Sequence, residues 1–341
     1  MKNKKRIIQL IIIIPSIISL FFVPWNLLFY WMSPGQDSVQ EEMDNALDRG
    51  FDGIVVYIDQ AGQIETYEAG TDNRLNDTPT DQESLFKIAS ISKLYVAVAA
   101  VKVIDQGLLS TDDTLSDLLP EFADRIENSE EITLRMLIQH RSGIPNYMDD
   151  PDYPWANLPT SNIQTLELVL DDPADFEPDK KYKYSNTNFL LIGEILDKTL
   201  GYSHHDYIYE TILQPLHLTN TFNLLKDVDI DLVMSGYHVG YEEDQKYDDY
   251  ISPSGSMVAT IEDVGVFIRA LNTGSLLTPS EQKLYGALYT YGHTGLLPGF
   301  QSFAYYHENI DTVVIQFNNT SGGAMWTKGE ILYNNILKLL K

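Results

Sequence analysis

Ser90 and Lys93 stand at the start of an apolar run, residues 91–103, and their types and spacing suit nucleophilic catalysis. Side chains three positions apart share one face of a helix, so Lys93 would lie beside the Ser90 hydroxyl at low dielectric. A serine hydroxyl becomes a good nucleophile when a neighbouring base takes its proton. The pair therefore predicts a serine nucleophile with a lysine base. The alternative is a helix cap at Ser90 and a lysine that reaches solvent.

Context separates this Ser-x-x-Lys motif from two further copies, at residues 84–87 and 280–283. The copy at 280–283 shows the capping pattern of a surface helix. In the copy at 84–87, the residues directly after Ser84 show no helical periodicity. Ser90 alone opens a buried helix, whose amino terminus favours developing negative charge.

Tyr184 and Asn186 form a Tyr-x-Asn motif in a polar loop, ahead of an apolar helix predicted at residues 189–196. A phenol titrates near 10, so its use as a base near neutral pH requires a shift of roughly three units. A nearby cation such as Lys93 would favour the phenolate and lower the pKa of Tyr184. A second copy, at residues 333–335, lies in a predicted amphipathic helix, where packing explains it.

His293, Thr294 and Gly295 form a third motif, just before the last predicted hairpin. A glycine lets the main chain approach a substrate closely. The histidine and threonine side chains can bind a carboxylate or assist proton transfer.

The order of these three motifs resembles that in the superfamily of serine β-lactamases and penicillin-binding proteins. The branch is the one that contains class C β-lactamases and low-molecular-weight D,D-peptidases. The flanking sequences agree over longer stretches, at residues 86–93, 137–145, 184–189 and 253–257. The likeness runs from about residue 40 to residue 341, and three ordered motifs are far more specific than any one of them.

The resemblance implies a role for each group that would act on the reacting atoms. Ser90 would be the acyl-accepting nucleophile, and Lys93 and Tyr184 would share the proton transfers. The oxyanion hole would be formed by the main-chain N–H groups of Ser90 and Leu296, and such donors contribute about 3–4 kcal/mol each in related chemistry.

The resemblance also implies the substrate-binding residues. Asn186 would hold the acyl-side amide of the substrate, and His293, Thr294 and Gly295 would line the opposite wall. The reaction would be acylation of Ser90 with loss of an amine or alcohol, followed by attack of water. It requires no metal and no organic cofactor.

His293 departs from the class C β-lactamases, which usually carry Lys-Thr-Gly as the third motif. A histidine there resembles the branch of D-amino-acid peptidases, which act on peptides ending in D-alanine or on related D-peptides. A histidine is mostly neutral at pH 7, so anion binding by His293 is less assured than binding by a lysine.

We therefore expect a serine hydrolase of the D-alanyl-D-alanine carboxypeptidase type or another D-peptidase. The alternatives are a class C-type β-lactamase, an esterase, and a non-catalytic penicillin-binding or sensing protein that acylates and then stalls. The expected partner is a small peptide, β-lactam or ester substrate, with cell-wall peptide among the candidates.

Composition excludes several other classes of protein. The chain has 341 residues, no cysteine and a formal net charge of −26. Nucleic acid is an improbable partner because a phosphate backbone attracts lysine and arginine. Without cysteine there is no disulfide framework and no thiol nucleophile. Residues 1–35 hold four basic and no acidic side chains, so the remainder carries −30.

The basic tip precedes an apolar run, residues 7–32, that predicts a membrane anchor. As a helix the run would span about 39 Å, which is enough for a bilayer core. Trp25, Phe29, Tyr30 and Trp31 suit an aromatic belt at the outer interface. We expect a single-pass protein of the cell membrane with a cytoplasmic amino terminus and an extracytoplasmic catalytic domain. A cleaved signal peptide is the alternative.

The remaining elements predict an α+β fold of the β-lactamase/transpeptidase type. Strand patterns occur early, as a hairpin at 53–58 and 64–69, and late, as a hairpin at 301–306 and 312–318. We expect one antiparallel sheet built from both chain ends, flanked by helices at 40–49, 91–103, 260–271 and 330–340. A mostly helical lobe, residues 106–250, would be inserted in it. The predicted units are thus an anchor at 1–35 and a serine hydrolase domain at 36–341.

Overall fold

The computed structural model describes Ser19 and residues 21–341. Its main sheet has six antiparallel strands in the order β3-β2-β1-β10-β9-β8. The strands are β1 Gly53–Gln60, β2 Gln63–Asn73, β3 Thr78–Pro79, β4 Phe86–Lys87, β5 Thr221–Phe222, β6 Tyr237–His238, β7 Val258–Ala259, β8 His293–Leu297, β9 Phe300–His307, β10 Thr312–Asn318 and β11 Thr320–Ser321.

Both chain ends build the sheet, as predicted. β1 pairs with β2 of its own hairpin and with β10 from the end of the chain, where Tyr57 lies opposite Ile315. β9 and β10 form the second predicted hairpin. The α+β class is therefore confirmed.

Helices cover both faces of the sheet. The α-helices are α1 Trp25–Met32, α2 Val39–Leu47, α3 Ser92–Asp105, α4 Leu115–Leu118, α5 Leu134–Ile138, α6 Asn162–Leu166, α7 Asn186–Leu200, α8 His204–Ile208, α9 Ile261–Thr273, α10 Pro279–Leu288 and α11 Met325–Leu339. Short 3-10 turns occur at Ala89–Ile91, Pro120–Arg125, Tyr147–Asp149, Leu225–Asp227, Ile230–Leu232, Gln245–Tyr247 and Glu308–Ile310, and a π-helical turn at Tyr209–Leu213.

Alternation along β1 explains the two layers of the core. Ile54 and Val56 face α2 and α11 in one cluster of buried side chains. Val55 and Tyr57 point the other way, into the larger cluster that includes α3 and α9. Successive side chains of a strand alternate between faces, and each large apolar side chain buried this way contributes about 1.5–3 kcal/mol.

α3 is the buried helix predicted at residues 91–103, and nearly all its side chains are inaccessible to solvent. It packs against α7 and α8 of the lobe, residues 106–250, and against α10. Apart from the 15-residue helix α7, the elements of that lobe are short helices and turns, with strands of two residues only. The lobe therefore leaves long loops around the amino-terminal end of α3.

The predicted membrane span, residues 7–32, lies mostly outside the described residues. Its described end forms α1, which has eight residues. Within the part of the chain that the structure describes, no helix is long and apolar enough to cross a bilayer. The span at 7–32 stays a prediction.

Candidate active site

Ser90 lies on the 3-10 turn that leads into α3, and a set of main-chain contacts fixes this turn. Ala89 adopts φ 51°, in the left-handed region that non-glycine residues rarely occupy. The Ser92 hydroxyl donates to the Ala89 carbonyl at 2.6 Å and accepts from the Met257 N–H at 3.2 Å. The surrounding structure thus holds this strained turn in place. The Ser90 side chain on the turn is half-buried.

Two side chains contact the Ser90 hydroxyl oxygen. The Nζ of Lys93 lies 3.1 Å from Ser90 Oγ. The Tyr184 hydroxyl donates to the same oxygen at 2.8 Å. The structure therefore brings together the three residues that the sequence predicts for nucleophilic chemistry, although Tyr184 lies 94 positions along the chain from Ser90.

Lys93 is fully buried, and its neighbours are neutral. Its Nζ donates to Asn186 Oδ1 at 2.8 Å and to the Ser254 carbonyl at 2.5 Å. Burial lowers the pKa of Lys93 well below its ordinary value, because no opposite charge compensates the loss of hydration. A neutral amine has two N–H groups for these two oxygens, and its lone pair is left for the Ser90 hydroxyl.

Tyr184 remains a phenol in this environment. Its ring lies 4.9 Å from Lys93 Nζ, and burial raises its pKa well above the ordinary value. The prediction that Lys93 would lower the pKa of Tyr184 is wrong. Burial disfavours the phenolate and also disfavours the lysine cation that would have stabilised it.

Asn186 begins α7, and a loop from the lobe holds it in place. The Asn146 side-chain oxygen accepts from Asn186 N at 2.9 Å and from Asn186 Nδ2 at 3.1 Å. The next residue back, Ser185, donates its N–H to His140 Nδ1 at 3.2 Å. Residues 137–145, one of the stretches that resemble the superfamily, thus orient the Tyr-x-Asn motif through His140. Asn146, which directly follows this stretch, was not predicted as a site residue.

His293, Thr294 and Gly295 lie on β8, the edge strand beside the Ser90 turn. A Cβ on Gly295 would come within 2.3 Å of the Ile88 carbonyl oxygen and 2.3 Å of Ser302 Oγ. The glycine is therefore required for a close approach to the Ser90 turn, whereas the sequence suggested an approach to the substrate. Leu296 follows and is 49% exposed.

His293 is neutral at physiological pH. Burial lowers the pKa of His293 to about 4. Its Nδ1 lies 2.5 Å from the Thr294 carbonyl, so Nδ1 carries the proton and Nε2 is left as an acceptor. The ring centroid lies 6.1 Å from that of Tyr184. The wall formed by β8 therefore offers polar groups but no cation.

Two cavities meet at Ser90. One has a volume of about 250 Å³ and is lined by Asn186, by Ser254 and by aromatic side chains of the lobe, together with Asp249, which sequence reasoning missed. The other, of about 540 Å³, lies between Tyr184 and His293. Among the described residues no group of three histidine, cysteine, aspartate or glutamate side chains could hold a metal ion.

The sequence of the chain matches a known family. The family model described as Beta-lactamase matches residues 36–289. Penicillin-binding protein 4* of Bacillus subtilis (strain 168) is 26% identical over 209 residues, which are 60% of this chain and 44% of that protein. A protein of Escherichia coli (strain K12) named "Putative D-alanyl-D-alanine carboxypeptidase" is 30% identical over 51% of this chain and 42% of its own length. The chain spans less than half the length of these curated relatives.

Solved structures share the fold at lower identity. D-amino acid amidase from Ochrobactrum anthropi SV3, complexed with L-phenylalanine, has a TM-score of 0.79 at 20% identity and covers 89% of this chain and 97% of that chain. A class C β-lactamase from Rhodobacter sphaeroides has a TM-score of 0.70 at 18% identity and covers 90% of this chain and 100% of that chain.

Proposed function

Since the chain belongs to the Beta-lactamase family and is a serine hydrolase, we propose that it is a D-peptidase that works through an acyl-enzyme on Ser90. It would cleave the peptide or amide bond that follows a D-amino-acid residue. The observation that carries this proposal is the position of Ser90 Oγ, 3.1 Å from Lys93 Nζ and 2.8 Å from the Tyr184 hydroxyl. The preference for D-residues is supported by the names of the relatives.

The geometry suggests how the protons move. The neutral amine of Lys93 takes the Ser90 hydroxyl proton as Oγ attacks the substrate carbonyl carbon. The N–H groups of Ser90 and Leu296 hold the oxyanion that forms. The Tyr184 phenol protonates the leaving nitrogen, and the proton on Lys93 then replaces the one that Tyr184 gave up. Water then attacks the ester carbonyl of the acyl-enzyme. The same proton transfers in reverse order remove a proton from the water and return one to Ser90 Oγ.

The test is hydrolysis of D-peptides by the purified full chain in detergent. We expect release of D-alanine from a peptide ending in D-alanyl-D-alanine, or of ammonia from D-phenylalanine amide, and little release from the L-enantiomers. Ser90→Ala should abolish release. Turnover of nitrocefin without any D-peptide hydrolysis would indicate a β-lactamase instead, and a stable penicillin adduct on Ser90 without turnover would indicate a sensor.

We also propose that residues 7–32 anchor the catalytic domain outside the membrane. α1 supports this, because Trp25, Phe29 and Trp31 are exposed as interfacial aromatic side chains would be. Tyr30 of the same helix is buried, with the Arg49 guanidinium 4.9 Å from its ring. The full chain should stay with membranes after carbonate extraction, and a chain that begins at residue 36 should not. Complete extraction of the uncleaved full chain would contradict the anchor.

A further inference from the structure

A third cavity lies next to the two that meet at Ser90. It has a volume of about 280 Å³, and most of the side chains that line it are apolar. Met148, Leu296 and Leu297 line both this cavity and the cavity of about 250 Å³ at Ser90. The two cavities therefore adjoin each other. We call the one at Ser90 the inner cavity and the third one the outer cavity.

A row of aromatic rings leads from the inner cavity to the outer one. Tyr147 and Tyr153 line the inner cavity, and their ring centroids lie 5.9 Å apart. Tyr153 also meets the ring of Trp155 edge-on, with the centroids 4.7 Å apart, and Trp155 lines the outer cavity. Aromatic contacts of this kind hold the rings in fixed relative positions. The row therefore forms one apolar wall along both cavities.

The outer cavity continues the acyl side of the site. The inner cavity that it adjoins contains Asn186, the residue assigned to the acyl-side amide of the substrate. His293 and Thr294 form the opposite wall, and the described lining of the outer cavity includes neither of them. A group that occupies the outer cavity would therefore belong to the acyl part of a substrate. It would lie beyond the residue whose carbonyl is attacked by Ser90.

The apolar wall of the outer cavity is accessible to a ligand. Trp155 and Leu296 are each 49% exposed. Large apolar side chains that stay exposed in a concave wall are typical of a binding site, because a ligand removes their surface from water. The two side chains thus lie where a substrate bound at Ser90 can contact them.

The outer cavity has no ionic group in its wall, although residues 36–341 carry a net charge of −30. None of the described residues that line it is a lysine, arginine, aspartate or glutamate. Its histidine, His238, lies with Nδ1 3.0 Å from Ser321 Oγ, which also accepts from the Gly299 N–H at 2.7 Å. A charged group placed here would lose hydration without gaining an ionic partner. The cavity therefore suits an uncharged, apolar group.

We propose that the outer cavity binds the apolar side chain of the residue that precedes the acylating residue. The inner cavity, of about 250 Å³, admits the acylating residue itself. The substrate would then be a peptide with an apolar residue, such as leucine, one position before the residue whose carbonyl reacts. A peptide with a charged side chain at that position would be a poorer substrate. This inference rests on the proposed acyl-enzyme at Ser90 and specifies the substrate class of the same site.

The experiment compares three esters, with the full chain in lipid nanodiscs so that no free detergent competes for an apolar cavity. They are the p-nitrophenyl esters of N-acetyl-glycyl-D-alanine, N-acetyl-leucyl-D-alanine and N-acetyl-lysyl-D-alanine, which differ only in the preceding side chain. We expect kcat/KM of the leucyl ester to exceed that of the glycyl ester at least about tenfold, because the leucine side chain leaves water. The lysyl ester should show no such gain.

Trp155→Ala should reduce the preference for the leucyl over the glycyl ester at least about threefold, mainly through KM, because part of the apolar contact is lost. Hydrolysis of the glycyl ester should be unchanged, which shows that the variant is folded. Trp155→Glu should prefer the lysyl ester to the leucyl ester, a reversal that a merely structural role of Trp155 would not produce. Tyr209→Ala is the matched control, since Tyr209 is an exposed aromatic residue that lines neither cavity.

Three results would overturn the apolar subsite. They are equal kcat/KM for the glycyl and leucyl esters in wild type, an unchanged preference in Trp155→Ala, and a Trp155→Glu variant that still prefers the leucyl ester. Ser90→Ala tests the proposed function separately. If wild type hydrolyses none of the esters, or if hydrolysis of the glycyl ester survives in Ser90→Ala, the acyl-enzyme on Ser90 fails and this inference fails with it. If that hydrolysis is lost in Ser90→Ala and the leucyl ester shows no gain in wild type, the inference alone fails.

Discussion

Asn186 Oδ1 accepts a hydrogen bond from Lys93 Nζ at 2.8 Å, and this gives the buried amine a neutral partner. A carboxylate at the same place would stabilise the ammonium form and hold its proton. The carboxamide leaves the pKa of Lys93 lowered by burial. The choice of asparagine over aspartate therefore suits a lysine that accepts a proton from Ser90.

Asn186→Asp should move the activity of the enzyme to higher pH. The new carboxylate raises the pKa of Lys93, so a higher pH is needed to free its lone pair. In the profile of kcat/KM against pH, we expect the rising limb to move to higher pH by about one unit or more. Activity at pH 7 should fall about tenfold or more. Asn186→Ala is the control, which should lower activity without moving the limb. An unshifted limb in Asn186→Asp would show that Lys93 is not the base.

Tyr184→Phe should affect amides far more than activated esters. The Tyr184 phenol keeps its proton because burial raises its pKa, and an amine cannot leave without gaining a proton. We expect kcat on an amide to fall about 10²–10⁴-fold, whereas p-nitrophenyl acetate, whose leaving group needs no proton, should lose much less. The measurement is the ratio of the two rates in variant and wild type. Equal losses would place Tyr184 in general base catalysis instead.

Helix α3 and the hairpin of β1 and β2 could be predicted because their signals are local in the sequence. The apolar run after Ser90 identifies α3, and the apolar run at residues 53–58 with the alternating residues 64–69 identifies the hairpin. β8 was not predicted as a strand, since its five residues include a glycine and show no alternation.

The contacts that complete the site could not be predicted, because they come from loops distant in sequence. Asn146 lies 40 positions before Asn186 and Ser254 lies 68 positions after it, both in irregular chain. Only folding brings them to Asn186 and Lys93. The protonation states depend on burial in the same way. The sequence predicted that Lys93 lies on a buried helix, but not that Tyr184 would be enclosed beside it.

His293→Lys should improve acylation by substrates that carry a carboxylate. The wall of β8 lacks a cation because His293 is neutral, and a lysine ammonium would offer a charge-assisted hydrogen bond to an anion. We expect labelling of Ser90 by a fluorescent penicillin to accelerate about tenfold, with the gain reduced at high salt. His293→Gln is the neutral control and should give no gain. A lysine variant no faster than the glutamine variant would show that carboxylates do not bind at this wall.

His140 should make the folded protein lose stability in mild acid. Burial lowers its pKa to about 3, and its Nδ1 accepts from the Ser185 N–H, which a protonated ring could not do. The unfolded chain takes up the proton near pH 6.5 while the folded chain does not. The contribution of His140 is therefore fully present above about pH 6.5 and is lost progressively as the pH falls toward 3, at up to about 1.4 kcal/mol per pH unit.

His140→Asn should flatten this dependence, because asparagine does not titrate and tolerates the left-handed φ of 55° at this position. We expect the free energy of unfolding, measured by urea between pH 7 and 4.5, to fall less steeply in the variant than in wild type. Part of the slope should remain, since burial also lowers the pKa of His205 to about 3. His217→Asn is the matched control, at an exposed histidine with φ 57°, and should keep the wild-type slope. Identical slopes in all three proteins would mean that His140 does take up its proton in the folded state.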